Sequence, residues 1–126
     1  GAVGRDLTVA RQASRGPSSC DGAVFPRLVA PGVEVRTTDL SHGGLLSYAT
    51  ASGTSLAAPH VAGVLALLAG AFPAASVAEL EDAIVRSAQD LGAAGADNAH
   101  GHGLADAMAA FKTLQNARGS AALSHR

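Results

Sequence analysis

The rhythm of hydrophobic and polar positions changes near the middle of the chain. Up to about residue 50, apolar residues come in short runs broken by glycine, proline and serine. Val3 and residues 7–9 fit strand pieces, and residues 13–19 (Ala-Ser-Arg-Gly-Pro-Ser-Ser) read as a loop. Residues 27–30 form a short run halted by Pro31-Gly32, a strand entering a turn. Residues 33–38 alternate apolar and polar side chains, the period of a half-exposed strand. A further strand is expected over residues 45–50, after the polar turn at His42-Gly43-Gly44.

The second half is helical in pattern. Residues 55–71 are almost wholly small or aliphatic, and a helix apolar on all sides belongs in the middle of a protein. Seventeen residues would span roughly 25 Å, and glycine interrupts them, so a membrane span is not expected. Ser76-Val77-Ala78-Glu79 matches a capping box opening an amphipathic helix whose apolar face carries Val77, Leu80, Ala83, Ile84 and Ala88. Asp82 and Arg86 are spaced for an i,i+4 pair. Asp106 caps a last helix expected to run from Ala107 to about Asn116, followed by a flexible tail over residues 118–126.

Composition narrows the classes of function. The 126 residues are 48% hydrophobic and 15% charged, enough apolar material for a core in one modest domain at most. The net charge of −1 provides no basic field for phosphates, so nucleic acid is not an expected partner. A single cysteine, Cys20, excludes an intrachain disulfide framework and a multi-cysteine zinc site. No cluster of carboxylates has the spacing of a calcium loop. Neither cofactor nor metal is expected.

The stretch from Thr50 to Gly63 carries the chemistry. A glycine turn delivers Ser55 to the start of the apolar helix, among backbone N–H groups that have no intrahelical partner and at the positive end of the helix dipole. Such a position stabilises negative charge developing beside the serine, as in acyl transfer. Gly53 and Ala57 leave room for a substrate backbone, and Pro59 is read at or just past the first turn, where a missing donor costs least. The competing explanation is an ordinary helix cap made by Thr54 or Ser55.

Here the sequence resembles the subtilisin-like serine proteases (subtilases). Gly53-Thr54-Ser55-Leu56-Ala57-Ala58-Pro59-His60-Val61-Ala62-Gly63 is similar to that family's nucleophile signature, with Leu56 where Met is usual. Three further segments match in the family's order: Ala13-Ser14-Arg15-Gly16-Pro17-Ser18, Leu28-Val29-Ala30-Pro31-Gly32-Val33 and Gly101-His102-Gly103-Leu104-Ala105-Asp106-Ala107. The resemblance implies that Ser55 attacks a peptide carbonyl, that its backbone amide helps hold the oxyanion, and that a histidine oriented by an aspartate takes its proton. In subtilases the order is Asp, His, Ser, and neither the Asp motif, the His-Gly-Thr-His segment nor the oxyanion asparagine is found here.

No local residue is an obvious base. Five residues of helix turn about 500°, which leaves His60 about 140° away from Ser55; in the family this histidine is structural. His42 is a weak alternative base in a polar turn. His100 and His102 lack a third ligand at metal-binding spacing.

The expected fold class is therefore α/β: a partial subtilisin-like three-layer fold, short strands followed by a buried nucleophile helix and two amphipathic helices. Residues 1–117 are expected to be the C-terminal portion of a subtilase catalytic domain. The expected function is that of a serine endopeptidase fragment acting on peptide or protein substrates, weak or inactive in isolation. Its expected partner is the missing N-terminal half of the domain, and the resemblance implies a secreted parent. The alternatives are a non-catalytic self-associating or complementing module, forming a homo-oligomer, and a weak Ser55-dependent esterase.

Overall fold

The computed structural model describes residues 1–39 and 47–123. Four short strands precede three helices: β1 (Ala2–Val3), β2 (Ala30–Pro31), β3 (Val35–Thr38), β4 (Tyr48–Ala51), α1 (Thr54–Ala71), α2 (Val77–Arg86) and α3 (Ala107–Leu123). β1 and β2 pair in parallel, with Ala2 opposite Ala30 and Val3 opposite Pro31. β3 and β4 form an antiparallel ribbon in which Val35 faces Ala51 and Thr38 faces Tyr48. Of the expected strand at residues 7–9, only a bridge between Val3 and Val9 forms. Leu7 turns the chain instead, at φ 62°.

The apolar positions settle into two clusters, and α1 belongs to both. Ala57, near its start, packs with Ala2, Ala10, Ala13 and Ala30; Val9, Val33 and Val61 flank them. Alanine side chains let helix and strands approach closely, which fixes the start of α1 against β1 and β2. Leu68, near its end, packs with Leu80, Ala83, Ile84, Ala110 and Leu114. Phe72 and Phe111 close that cluster with ring centroids 5.1 Å apart.

The expected burial of α1 on all sides is not what this chain provides. Of its residues only Ala57 and Leu68 are buried, and Leu67 is 69% exposed. The reason is a shortage of neighbours among the described residues: β1, β2, α2 and α3 reach one side of the helix and leave the other uncovered. α1 is also long and apolar enough to cross a membrane by length and composition, contrary to the expectation from its glycines. Its inner side nevertheless packs within both protein clusters.

α2 follows its amphipathic pattern closely, whereas α3 separates its faces only weakly and leaves Met108 exposed. Ser76 caps α2, its hydroxyl accepting from the Glu79 amide at 3.3 Å while the Glu79 carboxylate accepts from the Ser76 amide at 2.7 Å. The Ser76 amide's bond, and after it the Ser76 hydroxyl donating to the same carboxylate oxygen at 2.8 Å, lower the pKa of Glu79. Asp82 and Arg86 meet at 3.4 Å. α2 ends at Arg86, so Ala88 lies outside it, and Val77 is exposed. The Asp106 carboxylate accepts from the Ala109 amide at 2.9 Å, starting α3 as expected. α3 continues to Leu123, so the expected helix end near Asn116 and the boundary after residue 117 fall inside it.

Ser76→Ala removes the acceptor for the Glu79 amide and one half of the capping box. A loss of about 1 kcal/mol is expected, read as a lower urea midpoint at unchanged slope.

Candidate active site

Gly53 caps α1 in an extended conformation with φ 161°, and it has no side chain to offer the helix. Thr54 and Ser55 are thus the first two helical residues, and the explanation of either as an ordinary cap does not hold. The Gly53 carbonyl accepts from the Leu56 amide at 3.0 Å and from the Ala57 amide at 3.4 Å. Among the described residues, the amides of Thr54 and Ser55 have no partner. Two donors therefore stand open beside the Ser55 hydroxyl, at the positive end of an 18-residue helix.

The turn that presents Ser55 is held from below. The Gly53 amide donates to the Gly32 carbonyl at 2.7 Å, and the Gly32 amide donates to the Val3 carbonyl at 3.0 Å. A Cβ on Gly32 would lie 2.7 Å from the Ala2 Cβ and 2.8 Å from the Gly53 oxygen, so no larger residue fits without displacing the turn. One residue before Gly53, the Ser52 hydroxyl accepts from the Glu34 amide at 2.8 Å. Glu34 is held at φ 54°, in the left-handed region that costs an L-residue roughly 1–2 kcal/mol. These supports were missed in the sequence as parts of the site. Their signal was the Pro31-Gly32 turn followed by an alternating strand.

Ser55 is exposed and opens on a concavity of about 400 Å³ lined by Gly1, Leu28, Thr54, Ala57, Ala58 and Val61. Pro59 is the sixth residue of α1, inside the helix and just past its first turn. The residue four ahead of Ser55 therefore has no N–H to give, and the Ser55 carbonyl loses its usual helical donor.

The histidines do not converge on the serine. The His60 ring Nδ1 lies 2.8 Å from the Leu56 carbonyl, four residues back. Because a carbonyl only accepts, Nδ1 carries the proton there, and the ring is turned to its own helix. His42 lies outside the described residues. His100 and His102 diverge. His102 is exposed, while His100 points inward with Nδ1 3.5 Å from the Asp97 carboxylate but no hydrogen-bond partner. Asp97 accepts instead from the amides of His100 and Ala99 at 2.8 and 2.7 Å, which hold its carboxyl below the usual range. Among the described residues no group of three His, Cys, Asp or Glu side chains is placed to hold a metal. Cys20 is exposed and unpaired.

Open amide donors beside a serine at the head of a glycine-capped, small-residue helix can stabilise negative charge there, and comparison with known proteins names the family. The Subtilase family model (Peptidase_S8) matches residues 1–103. The chain belongs to the subtilase family. It is similar to the minor extracellular protease Vpr of Bacillus subtilis, 36% identical over 110 residues that cover 82% of this chain and 14% of Vpr. Fervidolysin of Fervidobacterium pennivorans, a keratinolytic enzyme related to subtilisin, superimposes with a TM-score of 0.64 at 30% identity, over 79% of this chain and 16% of that one. The CspB protease of Clostridium perfringens shares the fold with a TM-score of 0.76 at 24% identity, over 93% of this chain and 26% of that one. This subtilase chain thus spans about a seventh of Vpr's length and matches a partial α/β subtilisin fold.

Gly32→Ala is expected to destabilise the chain by about 1–3 kcal/mol, the cost of overpacking. Gly63→Ala, where an added Cβ meets nothing within 4 Å, is expected to gain up to about 1 kcal/mol from helix propensity. Paired urea titrations check the two.

Proposed function

We infer that Ser55 is the nucleophile of a peptide-hydrolysing site, and that the chain contributes this half of the site without the base. One observation carries the reading: the Ser55 hydroxyl stands beside two unpartnered amides at the glycine-capped start of α1. Family membership and the likeness to proteases support it.

In the full reaction the Ser55 oxygen bonds to the peptide carbonyl carbon, and a base takes the hydroxyl proton. The carbonyl oxygen gains negative charge, and the open amide of Ser55 is a donor for it. The C–N bond then breaks, the amine leaves with the proton held by the base, and water hydrolyses the remaining ester. Gly53 and Thr54 set the turn, while Pro59 leaves the backbone beneath the serine without one helical bond. His60 takes no part in this scheme: its ring is exposed and bonded to the helix that carries it.

Neither an imidazole nor a carboxylate is hydrogen-bonded to Ser55 among the described residues. In related enzymes removal of the base costs on the order of 10⁶ in turnover. The chain alone is therefore expected to hydrolyse peptides weakly or not at all. Activated esters and phosphonates, which have better leaving groups, are the reagents for which the open amides suffice. Weak Ser55-dependent esterase activity is the second reading, favoured by those amides and by the lack of a nearby base among the described residues.

A fluorophosphonate incubated with the chain is expected to modify Ser55 in preference to Ser52 and Ser76, at a rate that rises with pH as hydroxide takes the role of the base. Mass spectrometry of the digested protein locates the adduct. Equal modification of all three serines contradicts the assignment of the nucleophile. Efficient peptide turnover that is lost in Ser55→Ala contradicts the missing base and directs attention to His42.

A further inference from the structure

The loop that joins α2 to α3 holds an ionisable pair that the chemistry at Ser55 does not use. Oδ1 of Asp97 accepts from the Ala99 amide at 2.7 Å and from the His100 amide at 2.8 Å. Its other oxygen, Oδ2, lies 3.5 Å from His100 Nδ1, and the two side chains are only 20% and 15% exposed. Nδ1 itself is shut off from solvent and has no hydrogen-bond partner among the described residues. Gly92 closes over it: at φ 79°, a Cβ there would stand 2.7 Å from Nδ1. A neutral imidazole is poorly served in this place. Nδ1 either turns a lone pair towards a carboxylate oxygen or holds a proton beyond hydrogen-bond reach. An imidazolium presents an N–H and a positive charge to Oδ2 at once.

The same loop supports the strand beside the serine turn. The amides of Asp97 and Gly101 donate to each other's carbonyls at 3.0 and 2.9 Å. The His102 amide donates to the Arg27 carbonyl at 2.9 Å, and the Val29 amide to the Gly103 carbonyl at 3.0 Å. Leu28, between those two bonds, lines the concavity beside Ser55. A change in the hold of residues 97–103 is therefore felt at residues 27–29.

We propose that Asp97 and His100 form a pH-operated latch, in which protonation of His100 draws its ring onto the Asp97 carboxylate and tightens residues 97–103 against residues 27–29. The latch stands whatever the role of Ser55. Imidazoles change charge between about pH 5 and 8. Asp97, held below the usual carboxylate range by the His100 and Ala99 amides, keeps its charge throughout that window. The added contact exists only in the protonated folded form, so it is present on the acid side of the window and lost as pH rises through it. It is lost again only where the pH is low enough to protonate Asp97. The other charges nearby do not replace this pairing. Arg15 lines, with His100, Thr8 and Leu91, a concavity of about 500 Å³; it opposes a charge on the ring but is exposed and screened. Asp90, on the same loop, accepts from the Gly95 amide at 2.7 Å. Arg27 lies 4.0 Å from Glu81. Among the described residues Asp97 is the acid that faces the His100 ring.

Amide exchange of the full chain tests the latch, read as protection factors so that the intrinsic pH dependence of exchange cancels. From about pH 8 to about pH 5.5, protection of the Val29, Gly101 and His102 amides is expected to rise about fivefold, the margin of a hydrogen bond to a charged group over a neutral one. His100→Gln, polar and uncharged, is expected to abolish the rise. Asp97→Asn is expected to do the same, although its Oδ1 can still accept from both amides. His102→Gln, at an exposed position, is expected to retain it. Nitrogen-15 NMR of the imidazole rings in the unmodified chain gives a second reading that needs no variant. On the acid side the His100 Nδ1–H is expected as a resolved proton signal, slow to exchange with water. Protection that does not change with pH, a rise that persists in His100→Gln, or a rise lost in His102→Gln each overturns the proposal. If the His100 and Asp97 variants fail to fold, the ring signal decides, and an Nδ1 that stays unprotonated at about pH 5.5 overturns it.

Discussion

The hydrogen bond from the Gly53 amide to the Gly32 carbonyl joins the strand half of this chain to its helical half at the point where the chemistry sits. At 2.7 Å, it fixes the peptide plane that enters α1, and with it the direction in which Ser55 leaves the turn. The bond is possible only because Gly32 has no side chain. Ala2, Ala57 and the Gly53 oxygen already fill the space that a Cβ would take. The alanine cluster beneath is the same constraint seen from the side: Ala2, Ala10, Ala13, Ala30 and Ala57 are small because strand and helix must come this close.

A strong dependence on one contact follows from how little else is available. β1 and β2 are two residues each, and parallel pairs are stable when both faces are covered. α1 covers one of those faces. In return, β1 and β2 anchor only the first turns of α1, while α2 and α3 hold its far end through Leu68, Leu80, Ile84 and Leu114. The helix is thus secured at both ends along one side, and its other side has no partner within the described chain. The chain spans 14% of Vpr and 16% of fervidolysin, and its described residues support the serine turn while covering one side of the helix.

What could be read from the sequence divides along physical lines. The capping box at Ser76, the Asp82–Arg86 pair and the Asp106 cap are local, set by side chains within four residues of each other, and all three are found. The serine turn was legible because glycine, small residues and an apolar run occur together in one short stretch. The burial of α1 was misjudged because periodicity reports what a helix is suited to, not which neighbours arrive. The cap of α1 was sought at Thr54 or Ser55 because the true cap, Gly53, contributes backbone alone and leaves no side-chain signature. The supports at Gly32 and Ser52 depend on contacts about 20 residues apart in sequence, and no local pattern announces them. α3 outran its expected end because Arg118 does not fray: its guanidinium reaches the Ala74 carbonyl at 2.9 Å and lies 3.4 Å from Glu79.

The central claim is that the serine-bearing turn is held in place within this chain, before any partner contributes. Residue-resolved amide hydrogen exchange of the isolated protein tests it most directly. The Gly53 and Gly32 amides, each donating to a backbone carbonyl, should exchange more slowly than those of Thr54 and Ser55, by about tenfold or more. Exchange of Gly53 and Gly32 as fast as that of Thr54 and Ser55 would show that the turn is not held, and would contradict the account.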